Sequence, residues 1–187
     1  ADAEYRLGLA LYTGWGVTKD EARGVQWLRK SAAQGQPAAE YLLGTAYMTG
    51  NGVEKDLAWA ARWYGRSAQQ GHKLAQHAVG IAFAEGLGLP IHSIQACKWL
   101  MLAERSGEAA AGKDRARLVA GMSGSQVSRC EDLAQRWRPV PSAGSLDRPT
   151  VRYVQYELTR RGYDPGYIDG VLGPRTKQAI GEYWAGL

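Results

Sequence analysis

Three histidines, His72, His77 and His92, are the side chains here most able to move a proton near neutrality or to hold a transition metal. None of them stands in a paired helical metal motif with an adjacent Glu. No Ser has Lys three residues later, so the penicillin-recognising serine arrangement is missing. Carboxylates are plentiful, but nothing in their spacing marks two of them as a glycosidase pair. The sequence therefore predicts no catalytic residues, no metal site and no cofactor. What remains is a pair of cysteines, Cys97 and Cys130, and an unusual aromatic set: ten Tyr and seven Trp against one Phe. Tyr and Trp bury a ring while keeping a polar edge available, which suits recurring helix interfaces and binding surfaces.

The surrounding composition is that of a folded chain, with 45% hydrophobic and 22% charged residues in 187. A net charge of +5, scattered among acids, supplies no tract that could track phosphates, so nucleic acid is not an expected partner. No stretch approaches the roughly 20 apolar residues that span a bilayer. Membrane contact is expected only through segments absent from this chain. The start, Ala1 to Tyr5, already lies inside a repeat helix and reads as the beginning of a C-terminal piece of a longer protein.

The elements that must position these residues are repeats. Ala3 to Gly35, Ala39 to Gly71 and Ala75 to Gly107 are three copies spaced 36 positions apart, with landmarks at Gly8, Gly44 and Gly80, at Gly16, Gly52 and Gly88, and at Trp27, Trp63 and Trp99. Each copy parses as helix, loop, helix. Ala3, Leu7, Ala10 and Leu11 share one side of the first helix, and Ala22, Val25, Trp27 and Leu28 form the apolar face of the second. Gly inside the first helix costs about 1 kcal/mol relative to Ala, so a partner helix is expected to cross there with no room for a Cβ. Asp20 and Asp56 are expected N-caps. In the third copy Pro90-Ile91-His92 replaces the Lys-Asp pair, which predicts an altered turn. A fourth hairpin over 109–138 keeps helical periodicity and loses the glycines, as a capping unit does.

The Leu-Gly, Gly-x-Gly-Val, Lys-Asp, Trp and Ala-x-x-Gly landmarks resemble the Sel1-like repeat family, relatives of the tetratricopeptide repeat. The resemblance implies an all-α fold, a right-handed solenoid of antiparallel hairpins with units at 3–38, 39–74, 75–108 and 109–138. It also implies a concave surface lined by the first helix of each repeat. The inward positions would be Tyr5, Leu9, Tyr12, Tyr41, Thr45, Met48, His77, Ile81 and Ala84, a stripe suited to a peptide or helix of a protein partner. The same residues could equally serve as inter-repeat core; Leu11, Tyr47 and Phe83 are assigned to core. Cys97 and Cys130 fall on second helices of adjacent hairpins. A bridge there would stabilise by about 2 to 4 kcal/mol, while two buried thiols acting as small hydrophobes are the reading that the spacing favours.

Residues 139–150, rich in Pro, Ser and Gly, read as a linker. Beyond them, Val151, Val154, Gln155 and Leu158, then Gly162-Tyr163, then Asp169 to Thr176 and Ala179-Ile180 resemble the peptidoglycan-binding family of three-helix modules over 151–187. Asp169-Gly170 and Pro174 explain themselves as a turn and a helix start, so much of the motif is scaffold. Glycan- or peptide-gripping residues carried by the resemblance are Tyr163, Tyr167, Asp169, Arg175 and Tyr183. Together the two resemblances imply a non-enzymatic periplasmic scaffold that holds a protein and associates with peptidoglycan. This domain order resembles the periplasmic end of polar organelle development scaffolds. Alternatives are the recognition arm of a cell-wall hydrolase and a protein-only adaptor with a degenerate tail.

Overall fold

The computed structural model describes residues 1–140, 155–166 and 174–185, and among them every regular element is a helix. The chain divides into two units, Ala1–Val140 and Pro141–Leu187. The first contains α1 (Asp2–Thr13), α2 (Glu21–Ala33), α3 (Pro37–Thr49), α4 (Leu57–Gln69), α5 (Lys73–Glu85), α6 (Ser93–Arg105), α7 (Ala109–Val119) and α8 (Gly124–Arg136). None of the described helices is long and apolar enough to cross a membrane.

Local chemistry ends each first helix and starts each second one. Gly50 closes α3 at φ 84°, a left-handed conformation that costs Gly no Cβ clash, and its N–H returns to the Ala46 carbonyl. The loop is pinned by the Asp56 N–H, which donates to the Tyr47 carbonyl at 2.9 Å. The Asp56 carboxylate then accepts from the Ala58 and Trp59 N–H groups and caps α4. Asp20 does the same for α2. The turn before α6 is not altered: His92 donates its N–H to the Phe83 carbonyl at 2.9 Å, and its Nδ1 accepts from the Gln95 N–H at 3.4 Å. An imidazole nitrogen takes the place of the capping carboxylate, so the same loop closes with different residues.

Helices pair within each hairpin at the landmark glycines. A Cβ on Gly44 would lie 2.5 Å from the Tyr64 ring, and one on Gly80 2.7 Å from the Leu100 side chain, so neither first helix tolerates even Ala without movement of its partner. Hairpins then stack through α2 on α3, α4 on α5, and α6 on both α7 and α8. The cores run through the hairpins and continue across these junctions. Leu28 and Ala32 of α2 bury Ala39, Leu43 and Ala46 of α3, while Ala60, Tyr64 and Ala68 of α4 bury Ala75 and Val79 of α5. Leu7 occupies the register of Leu43 and Val79 and is 41% exposed, against 0% and 2% for the other two. Of the remaining residues expected on apolar faces, Ala3 and Ala22 are exposed too.

Each Trp landmark has a cation over its ring: Lys30 at 4.1 Å from the Trp27 centroid, Arg66 at 5.0 Å from Trp63 and Lys98 at 4.0 Å from Trp99. Trp27 and Trp63 share one arrangement, half-buried with the cation three residues on, whereas Trp99 is buried and takes its cation from the residue before it. The fourth hairpin docks through Trp137, edge-on to Trp99 at 6.0 Å, and through a disulfide between Cys97 of α6 and Cys130 of α8, whose Cα atoms are 5.9 Å apart. The thiol reading favoured by spacing thus gives way to a bridge, because α6 and α8 pack side by side and bring both fully buried cysteines to one junction.

In the second unit, residues 155–160 are helical and α9 spans Pro174–Ala185. Gln155 donates through Nε2 to the Thr176 hydroxyl at 3.0 Å, and that hydroxyl donates to the Pro165 carbonyl at 2.9 Å. Both side chains are buried, as are Leu158 and Ala179. These motif residues hold the opening and closing helices together. The middle of the expected three-helix module lies outside the described residues.

Candidate functional site

The first-helix residues expected to face a partner have several different fates. Tyr5, Leu9, Tyr41, Thr45, Met48, His77, Ile81 and Ala84 are all half-buried. Tyr12 is not available: it is 8% exposed and belongs to the core with Val25 and Leu28. Helix α2 crosses α1 at Tyr12, where a Cβ on Gly24 would lie 2.7 Å from the Tyr12 backbone nitrogen, and this close crossing buries the ring. Tyr41 packs between Tyr64 and His72, with centroids at 5.6 and 5.0 Å. The Thr45 hydroxyl accepts from the Tyr64 hydroxyl at 3.3 Å. Burial pushes the Tyr64 phenol up to about 12, so it stays a neutral donor.

Towards the C-terminal end of the stack, α7 comes over the α5 surface. His77 Nε2 lies 2.7 Å from an Asp114 carboxylate oxygen, and Asp114 also pairs with Arg117 at 3.4 Å. Ile81 and Ala84 line a small cavity of about 250 Å³ with Leu100 and Leu118 as its apolar floor and Glu85, Asp114 and Arg117 at its edge. His77 is therefore bound within the protein, and the stripe of first-helix residues is divided into an aromatic part around Tyr5 and Tyr41 and a small apolar recess at Ile81.

The larger concavity, about 520 Å³, lies elsewhere, between α2 and the loop end of the α3–α4 hairpin, and is lined by Arg29, Tyr47, Val53, Glu54, Lys55, Asp56 and Trp59. Tyr47, expected in the core, is half-buried and faces this groove. It stacks with Trp59 at 6.0 Å and 22°, and its hydroxyl accepts from Arg29 at 2.8 Å. Sequence reading passed over Arg29 and Trp59. The signal was available as departures from the repeat: positions 29, 65 and 101 are Arg, Gly and Met, and positions 23, 59 and 95 are Arg, Trp and Gln.

Between hairpins, Glu40 is almost fully buried, with Arg66 at 3.0 Å and Gln70 at 2.5 Å. Burial outweighs the attraction of Arg66 and raises the carboxyl to about 7. Burial also lowers the Lys98 ammonium to about 8 beneath Trp99 and lowers the His72 imidazole, which accepts from the Ala75 N–H at the start of α5.

In the second unit, Tyr163 and Tyr183 meet edge to face at 5.8 Å. Arg161 lies over the Tyr183 ring at 5.3 Å and donates to its hydroxyl at 3.3 Å. Arg175 faces Asp164 at 3.9 Å, both well exposed. Of the five expected peptidoglycan contacts, Tyr163 and Tyr183 thus form one cluster, Arg175 lies by the 164–166 turn, and Tyr167 and Asp169 fall outside the described residues.

Comparison with known proteins places these features in context. Residues 1–36, 37–72 and 73–107, more than half of the chain, match the family described as Sel1 repeat. Residues 147–183 match the family described as "putative peptidoglycan binding domain". No curated protein matches. Among solved structures, a protective antigen present in uropathogenic Escherichia coli strains, displaying an SLR fold, is similar at 33% identity with a TM-score of 0.67, covering 73% of this chain and 29% of its own. A Sel1 repeat protein from Oxalobacter formigenes is similar at 39% identity with a TM-score of 0.59, covering 63% and 34%. The chain thus spans about a third of the length of these relatives.

Proposed function

From the premise that this chain belongs to the Sel1 repeat family, we propose that it is a non-enzymatic scaffold of the bacterial periplasm, holding a protein partner on its hairpin stack and peptidoglycan on its C-terminal segment. The observation that carries this reading is the presence on one chain of interaction repeats and a segment of a peptidoglycan-binding family. Repeats that stack by nearest-neighbour contacts present a long, ordered surface without needing an active-site cavity, which suits capture of a polypeptide. The Cys97–Cys130 bridge supports an oxidising compartment, since such bonds form and persist outside the reducing cytosol. Tyr163, Tyr183 and Arg175 are the described side chains assigned to the wall polymer, with Tyr167 and Asp169 beside them in sequence.

The test is sedimentation with purified peptidoglycan sacculi. The full chain should pellet with them, and a chain shortened after Val140 should stay in the supernatant. Equal pelleting of both proteins would remove the assigned role of the C-terminal segment. Tyr163→Ala with Arg175→Ala should weaken pelleting without changing the circular dichroism of the hairpin stack.

A further inference from the structure

The groove between α2 and the α3–α4 hairpin holds a row of groups that the repeat does not require. Arg29 lies 5.9 Å from the Tyr47 ring centroid, Tyr47 stacks with Trp59, and Arg62 lies 5.1 Å from the Trp59 centroid. The result is a ladder of cation, ring, ring and cation. Rings hold guanidinium groups by their negative faces and fix them in place, so a carboxylate arriving there meets donors whose ordering cost is already met. Arg29 spends one nitrogen on the Tyr47 hydroxyl. Among the described residues its other nitrogens, and those of Arg62 and Lys55, meet no protein acceptor.

The lining balances Arg29 and Lys55 against Glu54 and Asp56, and Arg62 on the Trp59 ring alongside leaves one cation in excess. Asp56 keeps its charge but spends one carboxylate oxygen on the two backbone N–H groups that it caps, whereas the three cations keep N–H donors free. The same place at the next junction carries Gly65, Phe83 and Gln95 at the positions of Arg29, Tyr47 and Trp59, and that junction stacks as closely. The fold therefore does not need this ladder. The rings already carry each other and two guanidinium groups, so the free functions of the groove are positively charged N–H donors rather than the open ring face that a sugar or a base takes.

We propose that this groove binds an acidic peptide segment of the partner protein, with Arg29 and Arg62 as the carboxylate-recognising groups and Lys55 as a third cation. The assignment rests on the scaffold reading above and gives its protein partner a chemistry.

A capped, dye-labelled peptide of alternating Glu and Ala is the probe, followed by fluorescence anisotropy with the full chain at low salt. The isosteric Gln peptide should bind at least about tenfold more weakly, since it lacks the charges that Arg pairs with. Arg29→Met with Trp59→Gln, which installs the residues of the third hairpin at these positions, should also cost about tenfold or more. Arg6→Gln with Arg136→Gln removes the same or more charge from exposed sites and should leave affinity within about twofold. Equal binding of the Gln peptide, equal weakening by the distant charge variant, or displacement by soluble glycan fragments but not by free Glu peptide would overturn the proposal. Sedimentation with sacculi runs through the C-terminal segment. Lost peptide selectivity with sedimentation intact therefore counts against the groove alone.

Discussion

Leu43→Ala and Leu7→Ala, made in separate proteins, apply the same chemical change at the same register position of consecutive hairpins. Leu43 is fully buried, enclosed with Ala39 and Ala46 of its own helix by Leu28 and Ala32 of α2. Its surroundings cannot collapse readily, because α3 is held against α4 where Gly44 meets the Tyr64 ring. Truncation there loses the transfer energy of the removed carbons and leaves a cavity, so the cost belongs in the upper part of the range for buried Leu, about 3 to 4 kcal/mol. Leu7 is 41% exposed and encloses no cavity on its open side. Only part of a full burial energy of about 1.5 to 3 kcal/mol is at stake, giving about 1 kcal/mol. Urea unfolding followed by far-ultraviolet circular dichroism should therefore separate the two variants by roughly 2 to 3 kcal/mol at an unchanged m value. Equal losses at the two positions, or a larger loss at Leu7, would refute the assignment of a closed stacking face to α3 and an open one to α1.

Two further outcomes follow from buried groups. Replacing Cys97 and Cys130 together by Ala should lower stability by about 2 to 4 kcal/mol, read as a fall in the urea midpoint, and a wild-type midpoint indifferent to dithiothreitol would contradict the bridge. Glu40 has a folded pKa raised to about 7 from an ordinary 4.5, so the folded state binds its proton more tightly than the unfolded chain. Its favourable contribution is complete below about pH 4.5 and is lost as pH rises through 7, a span of up to about 3 kcal/mol. Glu40→Gln should flatten the stability profile between about pH 5 and pH 8 and raise stability at the alkaline end; a steeper profile in the variant would show that the Arg66 ion pair outweighs burial.

Much of the hairpin was readable from local patterns. The recurrence of Gly, Trp and Asp at a constant interval reports groups whose roles are settled within a few residues: a left-handed helix end at Gly50, a cap at Asp56, a close crossing at Gly44. The altered turn expected at Pro90-Ile91-His92 did not occur, because capping needs an acceptor atom at one place rather than a given residue type. The binding surface was less legible. Tyr12 and Met48 hold the same register position, yet one is buried and the other half-buried, and Tyr47, read as core, packs against the core but also lines the groove beside Arg29. Burial of a half-apolar side chain depends on the helix laid across it, as α2 is laid across Tyr12, which periodicity within one helix does not encode.

Hairpin length, helix ends, turn chemistry and the stacking order of the repeats are contained in the order of residues, because each is governed by hydrogen bonds and steric contacts between groups close in the chain. Which cysteines join, which tyrosines remain reachable and where Arg29, Tyr47, Trp59 and Arg62 meet are consequences of packing between hairpins. Apart from Trp59 and Arg62, neighbours on α4, those groups come from different helices, and their separations of a few ångströms are set by how backbones cross rather than by how far apart the residues lie in sequence.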